Sequence, residues 1–384
     1  MSAPLTLYGV PASYFSGKAR AYLRKQGIAF EEHSSAHPGY GERIFPAIGR
    51  FVLPVLETPD GTIVQDSDDI IGWLETHATP RLSCHPPGPV QRVLSHFFNL
   101  AGSEGLIRMA MHYRWSYLDR QDPFIAAGFI HGIAPESPAE EADALARPMM
   151  GKLSGYLGIL GVNPDSIEHI EASYHRLLDA FQAHLAHHPC LFGAWPSLGD
   201  YGLYGPLFAH LGRDPVPAFE MKQRAPRVFR WTERVGAPNL DILEYPSYPH
   251  HGFLPDDAVP DTLLAIGQVL AGELLPEITD QVDAFNRWAS EQTGGAGSRL
   301  LDKPHKRAVG TTTARCYGID FTSGVSPYRV YLLQRLQDAL AALDDGPRKR
   351  AAGWFEAAGL TPLFDAKIDR RIARRGNVEV WESD

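Results

Sequence analysis

Apolar and polar positions alternate over Leu5, Thr6, Leu7 and Tyr8, and the run closes by Val10 between Gly9 and Pro11, which predicts a short strand over 5–10. From Ser16 the period changes. Ala19, Tyr22 and Leu23 recur at helical spacing, Lys18, Arg20, Arg24 and Lys25 fall on the expected solvent side, and Gly27 is a stop signal. Residues 28–32 read as a second strand. Residues 53–56 and 62–64 flank the turn Thr58-Pro59-Asp60-Gly61 and predict a hairpin. Asp66 or Ser67 then caps a helix carrying Ile70, Ile71 and Leu74. The order is strand, helix, strand, then strand, strand, helix, and the first crossover favours a right-handed parallel unit.

The proline-rich stretch from Thr79-Pro80 to Pro86-Pro87-Gly88-Pro89 reads as a linker. Helical periods dominate beyond it, over 90–117, 174–185, 198–211 and a segment ending near Val235. The acidic, proline-punctuated stretch 134–148 reads as a surface loop. From about Gly236 a Pro- and aromatic-rich stretch leads into helical periods over 262–271, 273–290 and 327–343. Arg370, Arg371, Arg374 and Arg375 are read as a solvated helix face.

Length and charge narrow the picture. A chain of 384 residues exceeds one typical domain. With 36 Lys plus Arg against 45 Asp plus Glu, the formal net charge is −9, which disfavours nucleic acid as a partner. Cys84, Cys190 and Cys316 are far apart and form no CxxC, so neither a disulfide framework nor a zinc ribbon is supported, and a reducing cytoplasmic location is expected. No apolar run approaches the ~18 residues of a membrane span, and no signal peptide is read at the N-terminus. His184, His187, His188 and Cys190 are read as a helix end closed by Pro189, so no metal is expected.

Three short motifs carry the candidate chemistry. Ser13 precedes Lys18 by five residues in Ser13-Tyr14-Phe15-Ser16-Gly17-Lys18-Ala19-Arg20, where a hydroxyl beside helix N–H groups would favour thiolate over thiol. Ser16 competes as donor and as helix cap, and Tyr8 offers a phenol at the end of the first strand. Pro54 follows Leu53 inside an apparent strand, which points to an edge or a special peptide bond. Asp66-Ser67 opens a helix. Later, Ser197-Leu198-Gly199-Asp200 is a capping box opening an apolar helix.

Together these motifs resemble the cytosolic glutathione S-transferase superfamily, in its serine-type branch, over about residues 1–235. The resemblance implies a thioredoxin-like glutathione-binding α/β domain at 1–78, an all-α transferase domain at 89–235 and a mostly helical extension at 236–384. It implies that Ser13 is catalytic, with Ser16 and Tyr8 as alternative thiol donors. A cis bond at Leu53–Pro54 would present the Leu53 backbone to the cysteinyl part of glutathione. Asp66 and Ser67 would take the γ-glutamyl end. Many relatives carry a basic residue where this chain has Val52, and Arg50 or Lys18 are the candidate substitutes. Arg108, His112 and Trp115 share a helical face and form a candidate electrophile pocket.

The function implied is glutathione-dependent transfer to a hydrophobic electrophile, as in detoxification, with glutathione as co-substrate and a homodimer as the assembly. Glutathione-assisted isomerisation and reductive cleavage are allied chemistries on the same scaffold. A non-catalytic glutathione-binding or protein-interaction module is the alternative of a different class.

Overall fold

The computed structural model describes residues 4–249, 251–303 and 306–382. The first strand is β1, Leu5–Tyr8, and the first helix α1, Tyr14–Gln26; strand β2, Phe30–His33, follows. A π-helical turn at Tyr40–Ile44 leads into the short helix α2, Phe45–Ile48, and then come β3, Val55–Glu57, β4, Ile63–Gln65, and α3, Ser67–His77. The sheet order is β2–β1–β3–β4, with β1 parallel to β2 and antiparallel to β3. This is the expected thioredoxin-like domain.

Local chemistry explains the ends of α1. Ser13 caps it by accepting the Ser16 N–H, and Gly27 ends it at φ 66°, a conformation that an L side chain rarely adopts. The expected solvent face of α1 is not one. Arg24 is exposed, but Lys18, Arg20 and Lys25 are buried, because the helix lies between the sheet and a second layer of helices. Lys25 Nζ donates to the carbonyls of Arg234 and Asn239 at 2.7 and 2.8 Å.

The second layer comprises α4, Pro89–Leu100, a π-helical turn at Ala101–Gly105, α5, Ile107–Trp115, α6, Leu118–Ile133, and α7, Ala139–Ser154. It continues with α8, Ile167–His184, α9, Leu198–Ala209, α10, Pro215–Arg224, and α11, Pro226–Val235. Helix α7 corrects the loop expected over 134–148: Ala142, Ala146 and Met150 are buried at i, i+4 and i+8, and this stripe outweighs the charges and Pro148. The π-helical turn interrupts the helix expected over 90–117, where α4 and α9 nearly touch. A Cβ on Gly102 would meet the Gly202 backbone at 2.3 Å, and one on Gly202 would meet the Asn99 Cα at 2.5 Å. The capping box of α9 is formed in both directions by Ser197 and Asp200.

The extension contains α12, Leu263–Ser290, a hairpin of β5, Thr311–Cys316, and β6, Ile319–Gly324, and then α13, Pro327–Ala341, α14, Asp345–Ala357, and α15, Pro362–Asp365. A second hairpin, β7, Ile372–Arg375, and β8, Val378–Trp381, closes it. The two helical periods over 262–290 are one helix. The arginine run is the larger correction: Arg374 and Arg375 lie on β7, and alternation sends Ile372 into the core.

One hydrophobic core runs from Leu7 and Leu56 in the sheet through Phe97, Tyr201 and Trp231 to Leu270, Val330 and Trp381. The extension is therefore not a separate lobe. It packs against the helical layer through α12–α14, and its second hairpin reaches the outer strand β4. There Asn377 Oδ1 accepts the Gln65 N–H at 2.9 Å, and its Nδ2 donates to the Ile63 carbonyl at 3.3 Å.

Candidate functional site

Strand register gathers the three motifs at one end of the sheet. Tyr8 pairs with Val55 and Val55 with Gln65, so the loop leading to Ser13, the Leu53–Pro54 step and the Asp66-Ser67 corner all leave the sheet at that end. The Leu53–Pro54 bond is cis. Among the described residues, no hydrogen bond engages the Leu53 N–H or carbonyl. Asp66 adopts φ 89° and caps α3 by accepting the Asp68 N–H at 2.9 Å.

The three candidate hydroxyls differ sharply. Ser13 Oγ is half-buried and accepts the Ser16 N–H at 3.2 Å. That bond uses a lone pair and leaves the Ser13 O–H free to donate, so capping and thiolate stabilisation are compatible roles for one residue. Ser16 is fully buried, and its Oγ is unpartnered among the described residues. Tyr8 is fully buried, donates to Glu57 Oε2 at 3.0 Å and accepts from Arg43; burial and the Glu57 carboxylate push its phenol above the ordinary range. Its hydroxyl is committed within the strand layer.

Charge at the Asp66-Ser67 corner is partitioned residue by residue. Lys18 Nζ lies 2.9 Å from Asp68 Oδ2 and also donates to Asn99 and Ser103. Burial pushes the Asp68 carboxyl up, but Lys18, Arg335 and the hydrogen bonds from Lys18 and Asn99 bring it down to about 2. Lys18 Nζ is thus engaged by three buried side chains. Arg50 Nη2 instead donates to Gln65 Oε1 at 2.8 Å, and Val52 exchanges both backbone bonds with the Tyr40 hydroxyl. Ser67 is fully buried and its Oγ has no hydrogen-bond partner among the described residues.

The extension supplies groups to this corner that the motifs do not contain. Tyr328 on α13 donates to Asp66 Oδ1 at 2.9 Å and approaches Asp68 Oδ2 at 3.2 Å. Arg374 on β7 stands 2.7 Å from Asp69 and 2.9 Å from Gln65 Oε1. Burial pushes the Asp69 carboxyl up to about 6 against the pull of Arg374. The Gly376-Asn377 turn between alternating segments was a readable hairpin signal; nothing local placed it beside residues about 310 positions earlier.

Arg108, His112 and Trp115, expected to share a pocket, are buried and have separate partners. Arg108 pairs with Glu277 and, at 3.5 Å, Glu273, two carboxylates of α12 that no motif announces. His112 contacts Glu171 at 3.1 Å and Ser116 at 2.9 Å, and burial lowers its imidazole against the lift from Glu171. Trp115 packs with Ile125, Ala126 and Met150. His184 bonds Thr262 and the Cys190 carbonyl within the helix end. Glu75, Cys84 and His85 bring ligand-type atoms within 4.8 Å, yet the Glu75 oxygens accept from Tyr22, Ser83 and the Cys84 N–H.

Residues 7–81 match the family model described as glutathione S-transferase, N-terminal domain. That match covers the thioredoxin-like domain. The chain is similar to the glutathione transferase GSTFuA3 of Phanerochaete chrysosporium, with 20% identity over 62% of this chain and 98% of that one and a TM-score of 0.42. It is also similar to a beta-etherase from Sphingobium sp. strain SYK-6, with 17% identity over 62% and 97% and a TM-score of 0.39. A glutathione S-transferase from Xanthobacter autotrophicus Py2 matches with 24% identity over 61% and 93% and a TM-score of 0.33. No curated protein matches the chain. No helix among the described residues is long and apolar enough to cross a membrane.

Proposed function

We propose that the protein is a glutathione-dependent transferase in which the Ser13 hydroxyl stabilises the thiolate of glutathione for attack on an electrophilic small molecule. The observation that carries this reading is the convergence, through strand register, of a free-to-donate Ser13 hydroxyl, the unpaired Leu53 backbone and the Asp66-Ser67 corner. Each meets a different part of one ligand. The hydroxyl and the first turn of α1 favour the anionic sulfur, the Leu53 N–H and carbonyl pair with a peptide unit, and the corner takes an amino-acid terminus. Attack by the sulfur forms the carbon–sulfur bond as the leaving group departs, or as a double bond accepts the electron pair; the O–H only holds the anion.

The test is retention on immobilised glutathione together with thiol-conjugation rates over a panel of electrophiles, for the wild type and Ser13→Ala. Loss of one donor to the developing charge is expected to lower turnover by about 10²-fold while glutathione is still retained. Equal rates for both proteins would remove Ser13 from the mechanism. Retention without turnover across the panel would instead favour a glutathione-binding module.

A further inference from the structure

An amino-acid terminus presents an ammonium and a carboxylate together, and the corner at Asp66-Ser67 poses a charge problem for it. Asp66, Asp68 and Asp69 cluster at the start of α3, so an incoming carboxylate would face three of its own sign. The structure resolves this through one cation of α1 and one of the extension. Lys18 takes Asp68, and Arg374 takes Asp69. Asp66 is left with Oδ1 holding the Asp68 N–H and the Tyr328 O–H, while Oδ2 carries no hydrogen bond among the described residues.

Two buried polar atoms in the same corner are incompletely satisfied. Ser67 Oγ is fully buried without a partner among the described residues. Arg374 Nε, on a side chain only 5% exposed, is close to Asp69 but not aligned to hydrogen-bond it. Unsatisfied buried donors are unusual and mark sites completed by something else. One donor hydroxyl, one guanidinium N–H and one free carboxylate oxygen are the complement of an α-amino-acid zwitterion.

Resting on the reading that the site binds glutathione, we propose that Tyr328 and Arg374 of the extension form a wall of its γ-glutamyl subsite, contributed by the same chain. Asp66 Oδ2 takes the ammonium, Ser67 Oγ and Arg374 take the α-carboxylate, and the Tyr328 hydroxyl holds Asp66 in position. The extension thereby acts as a specificity element for the γ-glutamyl group, and Tyr328 is a positioning residue.

The experiment compares glutathione, γ-glutamylcysteine and cysteinylglycine by titration calorimetry on full-length wild type, Tyr328→Phe and Arg374→Gln. The variants are expected to bind the two γ-glutamyl thiols at least tenfold more weakly than wild type, with cysteinylglycine changed less than twofold. Unchanged or tighter glutathione binding in both variants would overturn the proposal, showing the extension to be only a cover. Equal weakening toward all three thiols would also overturn it, as general loosening of the site. Tyr328→Phe keeps the ring and its packing, so the test stands if Arg374→Gln does not fold. Wild type that binds no γ-glutamyl thiol overturns both the proposal and the functional reading; a normal wild type with indifferent variants overturns the proposal alone.

Discussion

Lys18 shows how much one side chain's meaning depends on what folds over it. Its spacing from Ser13 was readable in sequence, but its partners were not: Asp68 lies fifty residues on, and Asn99 and Ser103 come from the helical layer. Replacing it by methionine leaves the buried Asp68 carboxylate without its ion-pair partner, a change that costs about 3–5 kcal/mol. Lys18→Met is therefore expected to lower the urea midpoint sharply, and a midpoint within error of wild type would contradict the pairing. The same pair sets an acid limit. Because the Asp68 carboxyl is depressed to about 2 in the folded state, its contribution is complete above the unfolded value near 3.9 and is lost as pH falls through about 2. Wild type should lose stability between pH 4 and pH 2 more steeply than Asp68→Asn, measured by denaturant unfolding at each pH. Ser13 was the opposite case, since its role as cap follows from local spacing alone.

At the level of elements, sequence periodicity found the strands and most helices of residues 5–235 and misjudged those in which one strong local signal hid another. Pro148 and a run of acids obscured the buried Ala142, Ala146 and Met150 stripe of α7. Four arginines obscured the alternation of β7, because their charge drew attention from Ile372 and from the Gly376-Asn377 turn. The close crossing of α4 and α9 was invisible, since a glycine in a helical run does not say which backbone it admits. It is testable: Gly202→Ala places a Cβ 2.5 Å from the Asn99 Cα, and forcing the helices apart is expected to cost about 1–3 kcal/mol or more. A melting temperature unchanged by Gly202→Ala would show that the crossing gives way freely. Ala substitution at the partly exposed Gly72, where no described atom lies within 4 Å of a Cβ, serves as the control.

Across the whole molecule the readable part ended where contacts became long-range. Three units follow from composition and linkers, but a hydrophobic core shared by all three does not. Because that core is continuous, the chain is expected to unfold in one transition, with fluorescence and far-ultraviolet circular dichroism coinciding. Separate transitions for the first 235 residues and the remainder would refute this.

The side chain of Asn377 has a further consequence. By accepting from the Gln65 N–H and donating to the Ile63 carbonyl, one amide imitates the strand that would otherwise lie beside β4. An open sheet edge is a template for pairing between molecules, and proteins blunt such edges by covering them. Asn377→Gly tolerates the turn's φ of 67° while removing the amide. If this edge is guarded by the closing hairpin, static light scattering of that variant on gentle warming should rise before any loss of secondary structure, and an unchanged signal would show that β4 needs no such cover against its own copies.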